Sequence, residues 1–104
     1  MITDEQAESA ADFIRDNATK AGQAKATRIY LEEFRKTLKA RLYQQASGTV
    51  GDRESYAYGH PDYEKHLDAL RIAVEDDERM RWMMVAAEAK LEAWRTMSAN
   101  ARRM

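Results

Sequence analysis

Cysteine is absent from the 104 residues. That excludes disulfides, thiolate nucleophiles and cysteine-based metal sites, and it suits a reducing cytoplasm. Proline occurs once and glycine four times, so little interrupts the chain. With 44% hydrophobic and 34% charged residues, rich in Ala, Glu, Lys, Leu and Arg, the composition is that of long helices. Excess charge is lacking too. A net charge of −1 gives no bulk argument for nucleic acid or an anionic membrane. No apolar run approaches a membrane span, and the acidic opening Thr3-Asp4-Glu5 is unlike a signal peptide. The expectation is a single domain in the cytoplasm, with no membrane partner.

Catalytic patterns are missing as well. There is no Gly-rich phosphate loop, no nucleophile elbow and no Glu-x-x-His ligand motif. His60 and His66 are six apart, where a helical metal pair needs three or four. Asp76, Asp77 and Glu78 are consecutive, so on a helix they point in different directions. No enzyme activity, catalytic residue, metal ligand or cofactor is expected.

What the chain does have is one long stretch. From His60-Pro61-Asp62-Tyr63 it runs to Met104 without a glycine or a second proline. As one helix over 61–103 it would be about 65 Å long. Tyr63, His66, Leu70, Ala73, Asp77, Met80, Met84, Ala87, Leu91, Trp94, Ser98 and Ala101 recur at alternating steps of four and three, a seam for helix-on-helix packing. Asp77 is its one charged member. Trp82, Met83, Val85, Ala86, Ala89 and Ala93 lie off the seam, and a helix apolar nearly all round touches more than one partner.

Upstream, Thr3 and Gln6 form a capping box that opens a helix over 4–46. Its stripe begins with small residues, Ala7, Ala10, Ala11, Ile14, Ala18, Ala21 and Ala24. It continues through Leu31, Phe34, Leu38 and Leu42. Asn17, Thr19 and Gly22 are weak helix formers and mark 17–22 as the place for any kink. Ser47-Gly48 stops the helix. Thr49 with Asp52 caps a short helix over 50–58, and Pro61 suits the first turn of the next.

The predicted fold is therefore all-α: two long antiparallel helices, a helical hairpin, joined by a short one. Folding the chain at about residue 53 sets the large residues of 80–97 beside the small ones of 10–27. It also sets charge against charge. Residues 1–16 carry −4 and 52–78 carry −6, whereas 25–41 and 79–104 each carry +4. Such patterning selects orientation more than it adds stability. In this arrangement Asp77 falls near Arg28 or Tyr30, and a partly buried Asp77–Arg28 pair is expected.

A two-helix hairpin buries little, so a homodimer or higher oligomer is expected, built as a coiled-coil-like bundle. Trp82, Met83, Val85, Trp94 and Met97 are the candidate interface with another copy or a protein partner. Tyr56, Tyr58 and Tyr63 gather at the bend, as tip packing first and partner contacts second. Arg28, Arg35, Lys36 and Lys39 on the first helix, with Arg95, Arg102 and Arg103 at the end, are the candidate nucleic-acid contacts. Against that, the same cations answer the acidic blocks, and Arg102 and Arg103 complement the helix dipole.

Several segments resemble small helical proteins encoded by bacteriophages and prophages. They are Val50-Gly51-Asp52-Arg53-Glu54, Tyr56-Ala57, His60-Pro61-Asp62-Tyr63, Leu91-Glu92-Ala93-Trp94-Arg95 and Ala99-Asn100-Ala101-Arg102. The resemblance covers about residues 49–103 and implies a bacterial host cytoplasm. It carries over no catalytic residue. The reading is a non-enzymatic, oligomeric interaction or adaptor protein. The alternative is a nucleic-acid-binding accessory of phage recombination or replication, which the genomic setting of such proteins suggests.

Overall fold

The structure is a computed structural model and describes residues 1–103. Three α-helices follow one another: α1 (Asp4–Gln45), α2 (Val50–Gly59) and α3 (Pro61–Arg103). No strand occurs among the described residues. The helix starts are built by side chains. At α1, Thr3 N–H donates to Gln6 Oε1 at 2.9 Å, and Gln6 N–H donates to Thr3 Oγ1 at 3.1 Å. At α2, Thr49 and Asp52 exchange the same pair of bonds at 3.0 and 3.2 Å. Each box satisfies amide groups that a helix start leaves without partners.

Gly48 makes the turn between α1 and α2. Its φ of +106° is open to glycine and strained for other residues. At the other junction, Pro61 holds His60 in an extended conformation (φ −72°, ψ 138°), so α2 and α3 remain separate helices. His60 then starts α3: its Nδ1 accepts the Asp62 N–H at 3.0 Å.

The chain forms two compact units: Met1–Gln23 with Glu78–Met104, and Ala24–Asp77. α1 packs against α3 within each, with opposite chain directions. In the second unit Arg53 lies over Tyr43, Lys39 Nζ lies 4.5 Å over the Tyr58 ring, and His66 meets Leu31. These pairs place the fold-back at Gly48, not near residue 53 as the sequence suggested. The physical reason is the role of α2. It is not a bridge across the hairpin end. It forms the opening turns of the returning leg and packs on the last turns of α1, which buries Ala57 completely. Leu42, the largest fully buried side chain, sits on α1 at this level.

The seam of α3 is as its spacing predicts. Tyr63, His66, Leu70, Ala73, Asp77, Met80, Met84, Ala87, Leu91, Trp94 and Ser98 are buried or half-buried. Ala101 is exposed. On α1 the stripe differs. Ala11 and Ala18 are exposed, and Phe13 and Asn17 are half-buried instead. A period of 3.5 residues through Ala7, Ala10, Ile14, Ala21 and Ala24 passes through 17, not 18. Asn17 is accommodated because its amide donates to Phe13 C=O at 2.9 Å, and α1 continues unbroken through Gly22.

Candidate interaction surface

The first unit consists of two helices. At its outer end, Trp94 Nε1 donates to Asp4 Oδ1 at 2.7 Å, which ties the end of α3 to the start of α1. Trp94 thereby belongs to the seam of its own chain. Met97 is half-buried nearby. The other candidates of this group face solvent: Trp82 is 58% exposed, Met83 44% and Val85 43%. Arg81 lies over the Trp82 ring at 5.0 Å.

A groove of ≈ 690 Å³ runs between the two helices of this unit. Ala10, Phe13, Met83, Ala86 and Ala87 give it an apolar floor, while Glu5 and Lys90 stand on opposite walls. Glu5, Phe13 and Lys90 were not among the residues singled out from the sequence. The signal was nevertheless present. Gln6, Ser9 and Phe13 repeat at steps of three and four beside the α1 seam, as Met83, Ala86 and Lys90 do beside the α3 seam. Their mixed polarity hid them.

The second unit holds the polar seam. Arg28 Nε lies 3.0 Å from Asp77 Oδ2, with Asp77 buried and Arg28 half-buried. The approach is close but poorly directed for a hydrogen bond, so this is an ion pair first. Arg28 also neighbours Glu32 at 3.8 Å on its own helix. His66 is buried, with Nε2 2.7 Å from Leu31 C=O, and its ring lies beside Phe34. That bond makes His66 a donor to α1, a structural use of the ring.

The tyrosines at the bend have partners within the chain. Tyr58 meets Tyr63 edge-on at 5.3 Å, and Tyr56 meets His60 at 5.5 Å. Tyr58, more than any other neighbour, raises the Lys39 ammonium above its ordinary range. Tyr56 and Tyr58 still expose 42% and 50% of their surface.

Several of the remaining cations are engaged locally. Lys36 pairs with Glu33 at 3.6 Å, Arg95 with Glu92, Arg71 with Glu75 and Arg81 with Glu78, all within one helix. Arg41 lies over Phe34. The complementary charge blocks thus close mainly along each helix, and Arg28–Asp77 crosses from α1 to α3. Arg35, Arg102 and Arg103 are exposed. Among the described residues, no group of three or more His, Asp or Glu is placed to hold a metal ion. No helix among the described residues is long and apolar enough to cross a membrane. Comparison with known protein families, with curated proteins and with solved structures finds no match in any of the three.

Proposed function

We propose that this chain is a non-enzymatic interaction protein that works as a self-associated helical bundle. The observation that carries this reading is the apolar surface of α3 left in solvent, with Trp82, Met83 and Val85 each more than two-fifths exposed. The surface total supports it. The accessible area is 7691 Å². A compact monomer of this 12.0 kDa mass exposes about 6,000 Å². The difference, about 1,700 Å², exceeds the roughly 800 Å² that each partner buries in a standard interface. The core is correspondingly thin: Ala7, Ala10, Leu42, Ala57, Ala73 and Ala87 are its buried apolar members.

Sedimentation velocity tests the reading directly. A dimer or larger assembly at micromolar concentration supports it, and a monomer across the accessible range overturns it. The phage resemblance adds the bacterial cytoplasm as the proposed setting. The alternative, nucleic-acid binding, draws less support, because Arg28, Lys36, Lys39 and Arg95 already have acidic or aromatic neighbours. It makes an opposite demand on salt. Affinity through several phosphate contacts falls steeply as salt rises, whereas an apolar interface responds little. Recovery of nucleic acid from bacterial lysate, lost after nuclease treatment, would favour that alternative.

A further inference from the structure

Self-association, the reading this rests on, does not by itself say which face is covered. We infer that a second copy of this chain covers the groove of the first unit, related by a two-fold axis running along the helices. The groove lies between α1 and α3, where the next helix of a bundle packs. Its floor is apolar, and the small Ala10, Ala86 and Ala87 let another backbone approach. Charge selects the occupant. Glu5 and Lys90 line the groove on opposite helices and form no ion pair with each other or with another described residue.

The two-fold completes that pair. Face-to-face packing about an axis parallel to the helices lays α1 of one copy over α3 of the other, each at its own level. Asp4 is bonded to Trp94, so Glu5 stands within about one turn of Lys90 along the unit. The operation therefore carries Glu5 over the partner's Lys90, and by symmetry does so twice. A two-fold across the helices would instead lay α1 on α1 and leave both charges unanswered. The floor supplies the contact area, and the doubled charge pair fixes direction and register.

The test is a charge exchange between chains. Glu5→Lys alone and Lys90→Glu alone each set like charges together twice, and each should weaken the dimer at least tenfold by sedimentation equilibrium. Mixed one to one, the two variants restore both pairs, and a heterodimer should form about as tightly as the wild type. Circular dichroism of each variant separates weakened association from lost helix, and rescue on mixing is a result that misfolding could not give. A wild type that associates while both variants associate equally well would overturn the groove and leave self-association standing. Rescue in the double variant of one chain, with none on mixing, would mean a contact within the chain and would also overturn it. A monomeric wild type would overturn both readings and leave the groove to a helix of another protein.

Discussion

At the scale of single residues, Gly48 and Asp52 control where the chain turns. A Cβ at Gly48 would lie 2.6 Å from an Asp52 carboxylate oxygen, at a φ of +106°. Gly48→Ala thus strains the backbone and pushes on the capping box together. The left-handed penalty is about 1–2 kcal/mol, and a lost cap adds about 1 kcal/mol. Urea unfolding should show a loss of about 2–3 kcal/mol, and Gly22→Ala, with nothing within 4 Å, should show a small gain in helix stability. Asp52 has its own signature. The Thr49 backbone N–H, and then the Thr49 side chain, hold its carboxyl below the ordinary aspartate range. A depressed carboxylate stabilises the fold fully above the unfolded-state value and loses that contribution as pH falls through the folded value. An NMR titration should therefore find the Asp52 midpoint below the ordinary aspartate range. Thr49→Ala should move it part of the way back, since the backbone donor remains.

At the scale of helices, the Arg28–Asp77 pair is the polar break in an otherwise apolar or neutral α3 seam. Removing Asp77 leaves a half-buried guanidinium with the more distant Glu32, at 3.8 Å, as its carboxylate neighbour. Asp77→Ala should cost about 2 kcal/mol, less than for a fully buried pair because Arg28 keeps some solvent. Arg28→Met with Asp77→Leu should recover most of that loss, and the four proteins of the cycle should give a coupling of about 1 kcal/mol or more. Additive effects would remove the pair from any role in register. That pairing was legible in the sequence, and so were the α3 seam, the two capping boxes and the helix limits to within a residue. Each depends on local spacing, which the chain states directly. Register was harder to read. The α1 seam is mostly alanine, and alanines at different levels make nearly equivalent partners. The fold-back point then hinged on whether α2 bridges the helices or begins the return, and its sequence is the same in either case. Trp94 shows the same limit. Its spacing places it on the seam, but only its bond to Asp4 reveals that its own chain covers it.

At the scale of the whole molecule, the balance between core and surface decides what stabilises the fold. The buried apolar set is small and mostly alanine, while Trp82, Ile72, Tyr30 and Val50 are more than half exposed. Alanine burial contributes little per residue compared with leucine or phenylalanine. A chain of this kind gains from covering its apolar surface with a second copy, and folding then becomes linked to association. The consequence is measurable without naming any partner. If two copies unfold together, the melting temperature depends on protein concentration, because the unfolded chains gain entropy by separating. A tenfold rise in concentration should raise Tm by roughly 3–6 °C for a domain of this size. A variant with Trp82 and Val85 changed to glutamine tests the outer face, since neither lines the groove. Glu5→Lys tests the groove. If the groove is the face covered, Glu5→Lys should flatten the dependence on concentration, and the pair at 82 and 85 should leave most of it. The reverse outcome would move the interface to the outer face of α3. A melting temperature that ignores concentration in the wild type would mean that α1, α2 and α3 of one chain stabilise one another unaided, and that Trp82, Met83 and Val85 serve a partner of another kind.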